Sequence, residues 1–225
     1  MNNFFLPLLA AAAVSQEAPA DAALETVDPE YQACVADLEA DPEAVRQRAE
    51  KWLAAGGGAA ALHCQAIGDL AAGYAGLAAV RLEELAAMPA AGDALVRARI
   101  MSQSALAWLE ADKPEHAESA IEKAFALAPE GGELYLPAAQ VWLATEQYQA
   151  TIDAVKTAAE EGYSSPAAYV ASARAKMALL DDRGAAEDVI AALKLDPFNV
   201  EALTARGDLF QRGVAIDANY ARPQQ

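Results

Sequence analysis

The chain has 225 residues, 55% of them hydrophobic, with 33 acidic side chains against 16 basic ones and a formal net charge of −17. That balance argues against nucleic acid and against a polybasic contact with anionic lipid, since both need clustered Lys and Arg. The abundance of alanine, the strongest intrinsic helix former, favours an all-α protein whose helices can approach closely, without promising a bulky core.

Residues 1–20 read as a leader. Phe4-Phe5-Leu6-Pro7-Leu8-Leu9 followed by Ala10 to Ala13 is a short apolar core ending in small residues. Ala11-Ala12-Ala13 fits an A-x-A cleavage site, with Ala13-Val14-Ser15 as the alternative, so export to the periplasm or beyond is expected. Met1-Asn2-Asn3 carries no Lys or Arg, which keeps a disordered leader on a cytoplasmic protein open as the other reading. The apolar run is too short to cross a bilayer, and no integral membrane span is expected in the mature chain.

Beyond the leader the helix signals are dense. Asp28-Pro29-Glu30 and Asp41-Pro42-Glu43 each offer an N-cap acid, a proline at the first helical position and an acid in the first turn. The pattern predicts helices at 29–39, 42–55, 59–72, 75–88, 93–111, 115–128, 132–146, 148–161, 166–180, 184–195 and 199–213. They pair into five helix hairpins followed by one unpaired terminal helix. Hairpin signals are weaker over 22–91 and stronger over 92–213, and 214–225 reads as a loose tail.

A period of 34 runs through the stronger part. With position 1 at Ala98, Gly132, Pro166 and Val200, position 4 reads Met101, Tyr135, Tyr169 and Leu203. Position 8 reads Ala105, Ala139, Ala173 and Gly207, and position 11 reads Trp108, Trp142, Lys176 and Phe210. The ending Ala124-Phe125-Ala126-Leu127-Ala128-Pro129 returns as Ala192-Leu193-Lys194-Leu195-Asp196-Pro197. Large residues at 4 and 11, small ones at 8 and 27, and proline at 32 resemble the tetratricopeptide repeat, TPR. The resemblance covers Ala98 to Arg212 well. It is weaker over 59–90, where the following repeat begins about five residues late, in Met88-Pro89-Ala90-Ala91-Gly92.

The resemblance implies an all-α helix-turn-helix solenoid whose last helix is a polar, solvent-facing cap carrying Asp208, Gln211 and Arg212. Trp108, Trp142, Tyr135, Tyr169 and Phe210 are then core residues. First-helix positions 2, 5, 9, 12 and 13 line the concave face of such arrays. Carried over, they make a groove of Arg99, Leu106, Leu109, Leu136, Gln140, Leu143, Val170, Arg174 and Met177, with Arg212 on the cap. An exposed aliphatic stripe framed by arginines suits a peptide or an amphipathic helix. The Lys and Asn clamp that some co-chaperones of this fold use for acidic peptide ends is missing, because those positions hold mostly Leu, Val, Ser, Gln and Ala. Rival uses are a homodimer closed through the groove and an accessory subunit of an envelope enzyme complex.

In a helix-pair array the first helices of adjacent repeats lie side by side, so two residues about one repeat apart can face each other. Cys34 and Cys64 stand in that relation, and a disulfide is expected with export, against two buried free thiols without it. No catalytic residue, metal or cofactor is expected. His63 adjoins Cys64, but neighbours on a helix point about 100° apart and pair poorly for proton transfer. Gly56-Gly57-Gly58 has no following lysine to make a phosphate cradle, and no hydrolase, kinase or zinc motif occurs.

Overall fold

Six helices begin where a side-chain oxygen accepts a hydrogen bond from the first turn. Asp28 accepts from the Glu30 N–H, Asp41 from Ala44, Asp93 from Val96, Ser165 from Ala168, Asp181 from Gly184 and Asn199 from Ala202. Each such cap satisfies one of the donors that a helix start leaves without a partner. The computed structural model describes residues 28–217. The expected leader at 1–20 and the tail from 218 onward lie outside the described residues.

Within them the chain is all-helical. The helices are α1 (Pro29–Asp37), α2 (Pro42–Ala54), α3 (Gly58–Ala71), α4 (Ala75–Ala87), α5 (Ala94–Glu110) and α6 (Pro114–Leu127). They continue as α7 (Tyr135–Ala144), α8 (Tyr148–Glu160), α9 (Pro166–Ala178), α10 (Asp182–Leu195) and α11 (Val200–Gln211). Each predicted helix is present, with ends shifted by a few residues. The largest shift is at α7, expected from 132: Gly132–Leu134 is a 3₁₀ turn instead. Pro137 has no N–H to bond four residues back, so the first turn tightens. The longer loop after α4 holds a second 3₁₀ turn, Pro89–Ala91, with Ala91 buried.

The 34-residue period recurs in the backbone. Asp112, Glu146 and Leu180 take positive φ of 57°, 60° and 64° at the ends of α5, α7 and α9. The next residue in each case closes the helix with a bond five residues back: Lys113 to Trp108, Gln147 to Trp142 and Asp181 to Lys176, at 2.9, 2.7 and 2.8 Å. This is the Schellman closure. Tyr74 donates to Asp69 in the same way after α3. That closure precedes the Lys113 one by 39 residues, which is the period plus the five-residue slack seen in the sequence.

Consecutive helices pack on each other throughout, and alternate ones also meet: α1 on α3, α5 on α7, α7 on α9, α9 on α11. The core is a run of small-residue contacts. Ala98, Ala105, Ala117, Ala120 and Ala124 are all fully buried between α5 and α6, and Ala173, Ala185, Val189 and Ala192 between α9 and α10. Alanine brings helices close enough for dispersion contacts to replace bulk. The tail differs from expectation at its start. Ile216 is 9% exposed and joins the α9–α11 cluster with Val214 beside it, because Gly213 at φ 87° turns the chain back onto α11.

The amino-terminal end carries two ties. The Cys34–Cys64 disulfide joins α1 to α3 with Cα atoms 6.1 Å apart and both residues buried. Asp69, fully buried in α3, pairs with Arg81 of α4 and lies 3.6 Å from Arg46 of α2. The Arg46 guanidinium also stacks 4.9 Å from the Tyr74 ring. The glycine run between α2 and α3 is structural. Gly56 and Gly58 have positive φ, and a Cβ at Gly57 would sit 2.5 Å from the Trp52 indole nitrogen.

Candidate binding face

Two of the nine residues that the repeat register assigns to a groove, Arg174 and Met177, meet at one cavity, together with Arg212 of the last helix. A shallow cavity of about 430 Å³ opens between α9 and α11. Its lining is Arg174, Met177, Ala178, Asp208, Gln211 and Arg212. These are positions 9, 12 and 13 of two successive units, three residues from each.

The three framing arginines differ in what holds them. Arg99 is committed: its guanidinium reaches Glu133 of the 3₁₀ turn at 2.7 and 2.8 Å, tying α5 to the start of α7. The Glu133 charge, with burial adding to it, raises the pKa of the neighbouring Tyr163 phenol. Arg212 donates to the Met177 carbonyl at 3.1 Å and to Asp182 at 2.7 Å, bracing α11 on α9 and α10. Arg174 is half-buried and makes no ion pair among the described residues, so its charge is left to the cavity.

The aliphatic part of the face is less open than a free stripe. Leu106, Leu109, Gln140, Leu136 and Leu143 are half-buried. Leu109 packs on the α3–α7 core, and Leu136 and Leu143 pack on the α7–α9 cluster. Val170 and Met177 were expected on the exposed stripe and are instead buried, at 1% and 7% exposure. The close approach of α9 to α11 draws them into the cluster with Ala173, Ala205 and Leu209. Met177 keeps an edge on the cavity, and Val170 does not line it.

Position 11 also divides. Trp108 is half-buried, donating its indole N–H to Glu83 at 2.8 Å and lying 4.8 Å from the His116 ring. Trp142 stacks on Phe125 with centroids 6.2 Å apart. Lys176 pairs with Asp188 of α10 at 2.7 Å. Phe210, expected in the core, is 71% exposed, because no described helix follows α11 to cover it. The polar cap expected of α11 is therefore only one side of it. Val200 and Leu203, 75% and 39% exposed, continue the apolar side. Their helical spacing with Phe210 is visible in the sequence, whereas the exposure of Phe210 is not, since it shares its repeat position with Trp142.

His63 Nδ1 meets the Tyr31 hydroxyl at 2.6 Å and Nε2 meets Gln103 at 3.1 Å, so the ring links α1, α3 and α5. Cys64 is in the disulfide and offers no thiolate. Among the described residues no group of three or more His, Cys, Asp or Glu is placed to hold a metal ion, and no helix is long and apolar enough to cross a membrane. No known protein-family model matches the chain, and no curated protein matches it.

Proposed function

We propose that this chain is a non-enzymatic scaffold of the TPR type, a helix-hairpin solenoid that binds a peptide or an amphipathic helix of another protein. The observation that carries the reading is the α9–α11 cavity, lined by the groove positions of two consecutive units. Two features bear on the ligand. Arg174 has no ion pair among the described residues, which favours an acidic side chain seated there. Ala178 and the edge of Met177 supply an apolar floor. The recurring closures at Asp112, Glu146 and Leu180 support the repeat register behind this reading. The buried Cys34–Cys64 bond supports action in an oxidising compartment such as the periplasm, with cytoplasmic residence as the alternative.

The test is affinity capture from the native cells with the full chain, beside an Arg174→Asp, Gln211→Asp double variant. Both side chains line the cavity without an ion pair among the described residues, so the variant should lose no more than about 1–2 kcal/mol, chiefly through the poor helix propensity of aspartate and its place at a helix end, and stay folded. A stoichiometric protein captured by the original chain and lost from the variant supports the groove. The same protein captured by both moves the site elsewhere. Self-association is the second reading, favoured by the exposed apolar side of α11.

A further inference from the structure

In three successive units the same side of the first helix is covered by the helix that follows it. Position 8 illustrates this best: Ala105, Ala139 and Ala173 are each fully buried, while the corresponding Gly207 of α11 is exposed. Position 1 runs from fully buried Ala98 to Val200 at 75% exposure, and position 4 from Met101 at 6% to Leu203 at 39%. The covering helices place small residues against large ones. Ala117, Ala120 and Ala124 of α6 lie in one cluster with Met101 and Trp108. Ala154 and Ala158 of α8 are buried, and Ala154 clusters with Tyr135 and Trp142. Where position 11 is Lys176, the covering helix answers with Asp188. The rule of this stack is therefore large opposite small, delivered by a helix.

The exposed side of α11 obeys that rule with itself. Val200 and Phe210 lie equally far on either side of Ala205, and so do Leu203 and Gly207. We propose that a second copy of this chain covers this face, its α11 antiparallel to the first about a two-fold axis at the level of Ala205. Leu203 then enters the space above the second copy's Gly207, and Phe210 lies against the second copy's Val200, each pair occurring twice. Such an isologous contact closes on itself, the commonest symmetry of soluble oligomers. With Phe198, 85% exposed just ahead of the helix, the apolar side chains offer roughly 500 Å² per copy, taking aromatic burial at its usual size. Two copies then bury about 1,000 Å², the lower limit for a specific interface. The contact leaves Arg174 and Asp208 on the neighbouring side of α9 and α11, with Gln211 at the border between the two faces. Because each copy carries a net charge of −17, association strengthens as salt screens their repulsion.

Sedimentation equilibrium on the full chain, from micromolar to submillimolar and at low and high salt, tests this with two variants. A Cβ at Gly207 meets nothing within 4 Å, so Gly207→Leu fits the single copy and improves its helix propensity while filling the space that Leu203 needs. Phe210→Glu places a charge in the contact at a side chain that the single copy leaves in water. The expected result is a mass of two copies for the original chain, more complete at high salt, and one copy for both variants with unchanged helical circular dichroism. A single-copy mass at every concentration would overturn the proposal and leave the face to the chain's own later residues. Mass growing beyond two copies, or a dimer that survives Gly207→Leu, would overturn it in favour of a contact elsewhere.

Discussion

Trp108 of α5 donates its indole N–H to Glu83 of α4 at 2.8 Å, and the same carboxylate accepts from Lys123 of α6 at 2.9 Å. One side chain thereby ties three helices from two hairpins. The apolar body of the tryptophan fills the stack, and its one polar atom reaches a charged partner at the edge.

The Glu83 carboxyl consequently responds to pH. Burial pushes its pKa up, but the Lys123 and Trp108 hydrogen bonds, with the charges of Lys123 and His116, outweigh this and hold it below the ordinary value. A carboxylate depressed in the folded state contributes stability above its unfolded pKa of about 4.3, lost as pH falls through the folded value. Glu83→Gln keeps an acceptor for Trp108 and removes the charge. It should cost about 1–2 kcal/mol at pH 7, read from urea midpoints. The gap from the original chain should close on titration below about pH 4. A gap that stays constant through acid would remove the charge from the argument.

Trp142 and Phe210 occupy the same repeat position with opposite surroundings. Trp142 is half-buried and stacked on Phe125, whereas Phe210 is 71% exposed. Trp142→Ala should cost about 3 kcal/mol, the low end for a large aromatic because the ring is not fully enclosed. Phe210→Ala, measured at concentrations where the chain is a single copy, should change stability by less than about 0.5 kcal/mol. Equal losses at the two positions would contradict the burial difference.

The Cys34–Cys64 bond closes a separation of 30 residues and holds a nine-residue helix whose main neighbours among the described residues are α2 and α3. Cys34→Ala with Cys64→Ala should lower stability by about 3–4 kcal/mol in the chain-entropy picture. The amides of α1 should exchange first, because that helix loses its main anchor. Mild reductant on the folded protein should change nothing, since both residues are buried. Rapid reduction without unfolding would mean that α1 opens on its own.

Leu180 sits at φ 64° and is 82% exposed, so its side chain gains no burial for a left-handed backbone. Leu180→Asn should raise stability by about 0.5–1 kcal/mol, since asparagine tolerates that region. For a chain of this size that is a rise of about 2 °C in Tm. A lower Tm would show that the leucine makes contacts that matter.

Helix positions were legible because their signals are local. Asp28, Asp41 and Pro166 mark starts through the few atoms around them, and the burial of Ala105, Ala139 and Ala173 follows from a spacing shared by successive units. The candidate face was legible only in part. Arg174 and Met177 meet at one cavity as the register implies, yet Arg99 turns to Glu133 and Val170 is buried. Register says which side of a helix a residue occupies. It does not say how closely the next helix approaches or which counter-charge it brings.

The sequence alone determined the all-helical class, the 34-residue period, most helix starts and the spacing that lets Cys34 meet Cys64, because caps act within one turn and periodicity is a property of the chain itself. Tertiary structure decided the burial of Val170 and Met177, the pairing of Arg99 with Glu133, the three-helix tie at Glu83 and the exposure of Phe210. Those depend on whether a neighbouring helix is present and how near it lies, and burial is a property of the neighbours more than of the residue.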